Sequence, residues 1–176
     1  MAKEYETKVL EINIKEIKGK LKRLGAKKQD KFLMRRWVFD INLDRDEWIR
    51  LRDYNGKNAT LTYKMRSGSG ISETEEIELN VSDFEKMAEI LSKLKFKGYY
   101  YQENKREVYK LKDIEFCIDS WPKIPIYLEV EAKNEKMVHK GLAILGLEGR
   151  DIGNISVKKV YKMYGFDLHG FKKLSF

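Results

Sequence analysis

Cysteine is almost absent from this 176-residue chain: Cys117 stands alone in the apolar run Phe116-Cys117-Ile118. One thiol makes neither a disulfide nor a thiolate metal cage, which suits a reducing compartment and a small buried side chain. Proline is nearly as scarce. Both prolines fall in Trp121-Pro122-Lys123-Ile124-Pro125, which reads as loop because a paired ladder does not tolerate them. No apolar run approaches the ~18 residues of a membrane-spanning helix. Lys3, Glu4, Glu6 and Lys8 interrupt any signal-peptide core. No Pro/Gly/Ser linker or repeat divides the chain. His139 and His169 lack metal-ligand spacing and read as ordinary residues. Ser67-Gly68-Ser69-Gly70 lacks the following helix and the GK[ST] ending of a phosphate-cradling loop, so it reads as a hairpin turn. One soluble, cytoplasmic domain over 1–176 is expected.

Charge is abundant instead. Charged residues make up 36% of the chain against about a quarter in average proteins, more than a solvated surface requires. The net charge of +8 and pI near 9.3 favour anionic partners, among them nucleotides, polyphosphate and nucleic acid.

Period-2 patterning dominates, broken by a few helices. Strands are expected at 3–12, 35–40, 47–54, 59–66, 72–79, 99–110, 113–119 and 126–133. Asn55-Gly56 supplies the two positive φ angles of a type I′ turn and joins 47–54 to 59–66; with 72–79 these strands form an antiparallel meander. Ile14, Ile17, Leu21 and Leu24 predict a helix ended by Gly25. Ser82-Asp83-Phe84-Glu85 reads as a capping box before a second helix. Asn134 caps a third helix, 135–145, and Ser156 opens a fourth. The tail 166–176 carries no strong signal. The fold class is therefore α+β, with about eight antiparallel strands and interposed helices.

Charges recur at every second position of these strands: Glu4, Glu6 and Lys8; Arg50 and Arg52; Lys64 and Arg66; Glu76 and Glu78; Arg106; Asp119; Glu129 and Glu131. Each pair shares one face of its strand, and the intervening positions are largely apolar. A wet outer sheet face would produce the same alternation. Two features argue for more. These positions are almost purely Arg, Lys, Glu and Asp, and the basic pairs Arg50/Arg52 and Lys64/Arg66 occupy neighbouring strands. Like charges across strands repel, so an anion between them is expected. Arg and Lys neutralise and orient a triphosphate, while Glu4, Glu6, Glu129 and Glu131 offer the hard oxygens that Mg²⁺ prefers. A closed barrel of about eight strands has a lumen fit for one small ligand.

Glu4-Tyr5-Glu6-Thr7-Lys8 resembles the ExExK signature of the CYTH domain, the triphosphate tunnel metalloenzyme superfamily that includes class IV adenylyl cyclases and thiamine triphosphatases. Ile49-Arg50-Leu51-Arg52 is similar to its paired-arginine strand, and Leu61-Thr62-Tyr63-Lys64 to its lysine strand. Glu76-Ile77-Glu78 is similar to its middle ExE, Lys105-Arg106-Glu107-Val108-Tyr109 to its late basic strand, and Tyr127-Leu128-Glu129-Val130-Glu131 to its C-terminal acidic strand.

The resemblance implies a closed or nearly closed eight-stranded antiparallel β-barrel, a tunnel with helices packed outside. It implies Mg²⁺ or Mn²⁺ on Glu4, Glu6, Glu129 and Glu131, and phosphate binding by Lys8, Arg50, Arg52, Lys64 and Arg106, with Arg66 on the same basic face. Glu76, Glu78 and Asp119 would be lumenal carboxylates that hold a second metal or orient water. Lys158 or Lys159 would reach the site from the last helix. The late basic strand reads Lys105-Arg106 rather than an alternating pair, so only one of the two points inward; Arg106 is the expected one. The expected partner is a triphosphate-containing small molecule, with no membrane or nucleic acid, and a homodimer is compatible with it. Hydrolysis is the expected reaction. Adenylyl cyclisation or binding without turnover are the alternatives. Trp121 reads as a packing anchor or as shelter for an organic ring.

Overall fold

The computed structural model describes residues 5–42, 47–66, 74–96 and 98–176. Glu4 and the Ser67–Gly70 turn lie outside them, and Arg66 is described only as the last residue of its strand. The strands are β1 (Tyr5–Val9), β2 (Lys27–Asn42), β3 (Glu47–Tyr54), β4 (Asn58–Arg66), β5 (Thr74–Val81), β6 (Gly98–Leu111), β7 (Ile114–Ser120), β8 (Tyr127–Ala132) and β9 (Lys173–Leu174). They form one sheet in the order β1-β8-β7-β6-β2-β3-β4-β5, antiparallel except that β9 pairs with β6 in parallel. The Asn55-Gly56 turn forms as expected, with φ of 56° and 71°, and Lys57 N donates to Tyr54 O at 3.0 Å.

Among the described residues the expected barrel does not close by hydrogen bonds, because no β1–β5 pairing completes it. The outer edge of β1 is engaged by another segment: Ile152 N donates to Lys8 O at 2.9 Å, and Thr7 Oγ1 donates to Asp151 Oδ2 at 3.1 Å. Glu6 and Lys8 on β1 nevertheless line the same cavity as Glu76 and Glu78 on β5. The sheet therefore curls into a deep trough between its two edge strands.

Helices pack on the outside. Helix α1 (Ile14–Arg23) is capped by Asn13 and buries Ile17 and Leu21. Helix α3 (Glu135–Leu145) is capped by Asn134 and stopped by Gly146 at φ 65°. Both cover Val9, Phe116, Leu128 and Val130. Gly141 is what lets α3 approach: a Cβ there would lie 2.7 Å from Val130 Cγ1. Helix α2 (Phe84–Ser92) packs Phe84 and Leu91 over Phe39 and Leu51. Its cap is Asp83, not Ser82: Asp83 Oδ1 accepts from Lys86 N at 2.9 Å, one residue later than the capping-box pattern predicts. Helix α4 (Val157–Met163) opens on Ser156. No described helix is long and apolar enough to cross a membrane.

Two segments differ from expectation. Strand β2 begins at Lys27 rather than 35, because Lys27–Lys31 are exposed and show no apolar alternation, yet they pair with β6. The tail forms a 3-10 turn (Leu168–Gly170) and β9. It fits because β7 pairs with β6 only from Lys105 onward, leaving the edge of β6 at Tyr101 and Gln102 open to β9. Burial of Leu168 and Leu174 against Trp121, Val160 and Tyr161 fixes the tail in place.

Candidate functional site

The concave face of the trough encloses a cavity of about 590 Å³, within the usual range for small-ligand sites. Side chains enter it from every second residue of the strands, so strand register decides which groups meet. One row across the sheet joins Gln102, Arg36, Arg52 and Thr60; the next joins Val38, Arg50, Thr62 and Glu78; a third joins Asp40, Trp48, Lys64 and Glu76.

The first two rows concentrate positive charge. Arg36 is 8% exposed and donates from Nε and Nη2 to Gln102 Oε1 at 2.9 and 2.7 Å. Its guanidinium lies 4.3 Å from the centre of the Trp121 ring. Burial, then the neighbouring charges of Arg52 and Arg50, push its pKa well below the usual arginine value. Burial and Arg52 likewise lower Arg50 to about 10. Arg50 stands 3.9 Å from both Glu76 and Glu78, and Lys64 pairs with Glu76. Thr62 Oγ1 donates to Glu78 Oε2 at 2.7 Å. Across these two rows Arg36, Arg50 and Arg52 stand against Glu78, which leaves two formal positive charges; the third row adds Lys64 against Glu76 and Asp40.

The other end of the sheet has the opposite balance. Glu6, Glu129 and Glu131 bring one oxygen each within 4.8 Å of one another. Lys8 pairs with Glu6 at 2.9 Å and Glu129 at 3.2 Å, and Arg106 pairs with Asp119 at 2.6 Å and Glu129 at 2.8 Å. Four carboxylates against two cations leave two formal negative charges. Burial alone would raise Glu129, but Arg106 and Lys8 outweigh it and hold the carboxyl down to about 2. The same contacts act in reverse on the cations: burial would lower Lys8 and Arg106, and their carboxylate partners raise both. Glu6 and Glu131 are directly opposite across β1 and β8, a like-charge pair that is unfavourable alone. Three hard oxygen donors with a surplus of two negative charges fit a divalent Mg²⁺ or Mn²⁺.

Most expected residues therefore meet. Lys8, Arg50, Arg52, Lys64, Arg106, Glu6, Glu76, Glu78, Glu129 and Glu131 line the cavity, with exposed Lys158 at its rim. Lys105 points outward over the Phe176 ring, 3.7 Å from its centre, so Arg106 is the inward residue. Asp119 stands opposite Arg106 and Tyr127 in register, on the same face, but is fully buried beneath Arg106, which grips both its oxygens at 2.9 and 2.6 Å. Burial, partly offset by Arg106, raises its pKa. Lys159 is exposed and does not line the cavity.

Sequence reasoning missed Arg36, Gln102, Asn104, Tyr54, Asp40 and His169. The doublet Arg35-Arg36 masks the alternation that continues through Val38 and Asp40. Tyr54 shares a face with Arg50 and Arg52, and that spacing was the available signal. His169 had none, since only tail docking brings it to the cavity.

The chain matches the CYTH domain family model over residues 2–164. It is 33% identical over 177 residues to a candidate adenylate cyclase of Methanocaldococcus jannaschii, covering 92% of this chain and 98% of that protein. Its fold is similar to a Pyrococcus horikoshii protein, with a TM-score of 0.73 and 27% identity over 84% of this chain and 93% of that one. It is also similar to a Hippeastrum candidate adenylyl cyclase described as having a dominant triphosphatase activity, with a TM-score of 0.62 and 17% identity over 94% and 96% of the two chains; that likeness speaks for the fold alone. Charge-lined trough, strand order and sequence match agree, and the chain belongs to the CYTH domain family.

Proposed function

We propose that this protein hydrolyses a triphosphate with a divalent cation, Mg²⁺ or Mn²⁺, held by Glu6, Glu129 and Glu131. Glu4, two residues before Glu6 in the signature, would join them. The observation that carries this reading is the pairing of a carboxylate cluster with two surplus negative charges and an arginine cluster with two surplus positive charges in one cavity.

When bound, the cation supplies charge neutralisation on phosphate oxygens. The chain's own groups do the rest. Arg36, Arg50, Arg52 and Lys64 bind and orient the phosphates, with Arg66 at the end of the same strand and Lys158 closing on them from the rim. Lys8 and Arg106 are anchored by Glu129 and add charge from the other side. Asp119 serves as a positioning residue for Arg106. Water attacks the terminal phosphorus in line, its oxygen forming the new P–O bond as the bridging P–O bond breaks. The charge developing on the transferred group and the departing diphosphate is met by the arginines, which are already oriented before reaction. Glu78 takes the water's proton: its side chain is 42% exposed and bonds the neutral Thr62 hydroxyl, whereas Glu76 is paired with the Lys64 ammonium.

Adenylyl cyclisation is the second reading, favoured by the name of the 33% identical relative. The same groups would hold ATP while its 3′-hydroxyl attacks the α-phosphorus and pyrophosphate leaves. Phosphate release from tripolyphosphate, ATP and thiamine triphosphate, with and without Mg²⁺ or Mn²⁺ and with cyclic AMP assayed in parallel, separates the two. Metal-dependent phosphate release is expected. Cyclic AMP without phosphate would replace hydrolysis by cyclisation, and tight binding without turnover would overturn both.

A further inference from the structure

Four of the cations that the strands carry into the cavity face carboxylates: Lys8, Arg50, Lys64 and Arg106. Among the described residues Arg36 and Arg52 pair with none; Arg52 bonds the Tyr54 hydroxyl. Arg36 is the more deeply buried of the two, and both groups that hold it are neutral. Its two side-chain bonds end on Gln102 Oε1, and its guanidinium lies against the Trp121 ring. Because arginine only donates, the Gln102 atom that takes both bonds is the carbonyl oxygen, and Nε2 is buried without a partner. Gln102 is 1% exposed and its backbone is fixed from both sides, opposite Arg36 on β2 and Leu174 on β9. The next inward residue of β6, Asn104, is buried and also neutral. On β6 two amides thus stand between the row of Arg36 and the carboxylate-bound Arg106.

A carboxylate at position 102 would accept the same two bonds, and a buried guanidinium is ordinarily paired in that way. Glutamine has the same length and shape and accepts the bonds without cancelling the charge. We propose that Gln102 is a positioning residue, which fixes the Arg36 guanidinium while leaving its charge uncompensated for the ligand. Two of the five N–H donors of Arg36 meet Gln102, and three remain for phosphate oxygens. The role depends on neutrality as much as on shape. It rests on the triphosphate reading of the cavity and assigns how one phosphate-binding group is held ready there.

Gln102→Glu tests the neutrality and Gln102→Met the tether. Without ligand, Gln102→Glu should melt above the wild type, since it gives a counter-charge to a cation that is already buried. Its affinity for tripolyphosphate, read by titration calorimetry with metal chelated, should fall about 10- to 100-fold, the range for loss of a hydrogen bond to a charged group. A residue that only fills space would not raise stability and lower affinity together. Gln102→Met should weaken tripolyphosphate binding in the wild-type background but not in an Arg36→Met background, because losses that act through one group do not add. Wild-type affinity in Gln102→Glu would overturn the inference while leaving triphosphate binding intact. So would equal losses from Gln102→Met in both backgrounds, and this cycle decides the matter if Gln102→Glu does not fold. A wild-type protein that binds no tripolyphosphate would overturn the triphosphate reading itself, and the role of Gln102 with it. If the wild type binds without turnover, hydrolysis fails while the affinities still judge Gln102.

Discussion

Arg36 and Arg52 stand directly opposite each other on β2 and β3 with their guanidinium groups turned into the same cavity. Like charges in this cross-strand position repel, and burial deepens the cost by removing water. The pair makes sense as a site whose counter-charge arrives with the ligand.

Replacing Arg52 with Met should therefore leave the ligand-free protein as stable as the wild type, or more so by about 1 kcal/mol, which is roughly 2–4 °C for a chain of this size. Tripolyphosphate affinity should fall about 10- to 100-fold, as expected for loss of a charged hydrogen-bonding partner. Melting curves and titration calorimetry measure the two effects. A large loss of stability without loss of affinity would make Arg52 a structural residue.

Glu6→Gln and Glu131→Gln remove charge from opposite sides of one cross-strand pair. Each should weaken Mn²⁺ binding at least tenfold, read by the paramagnetic signal of free Mn²⁺, and reduce turnover in step. Both proteins should melt near the wild-type temperature without metal, because the change also relieves Glu6–Glu131 repulsion. Unchanged Mn²⁺ affinity in both would place the metal elsewhere.

Glu129 sets an acid limit on stability. Its folded pKa is lowered to about 2 from a usual value near 4.5 by Arg106 and Lys8 against the opposing effect of burial. The stabilisation is therefore present above pH 4.5 and is lost as pH falls from there through 2. Glu129→Gln breaks a buried ion network and should cost about 3–5 kcal/mol at neutral pH, while flattening the decline in melting temperature below pH 4.5. An acid limb as steep as the wild type's would assign it to other carboxylates.

Two glycines in helices should respond in opposite directions. Gly19 lies in α1, where a Cβ would meet nothing closer than Arg23 Nη1 at 3.6 Å. Gly19→Ala should gain up to about 1 kcal/mol from helix propensity. Gly141→Ala gains the same propensity but drives its methyl to 2.7 Å from Val130 Cγ1, and overpacking of this kind costs about 1–3 kcal/mol. Melting temperature should rise in the first and fall in the second. A rise in both would mean that α3 can lift from the sheet without cost.

The sequence by itself determined the alternation, the helices and much of the site, since local rules control them. Period 2 put Arg50 and Arg52, Glu76 and Glu78, and Glu129 and Glu131 on shared faces. Asn55-Gly56 set the register of β3 against β4, and Asn134 and Gly146 bounded α3. Tertiary structure decided what local pattern does not encode. Pairing with β6 extended β2 through the exposed Lys27–Lys31 and turned Arg36 inward beside Arg52. A bond from Ile152 engaged the edge of β1 and left the trough unclosed by hydrogen bonds among the described residues. Pairing of β6 with β7 set Asp119 opposite Arg106, whose guanidinium covers it and takes both its oxygens. The tail, patternless as sequence, brought His169 to Asp40 because burial of Leu168 and Leu174 depends on a surface that exists only once the sheet has formed.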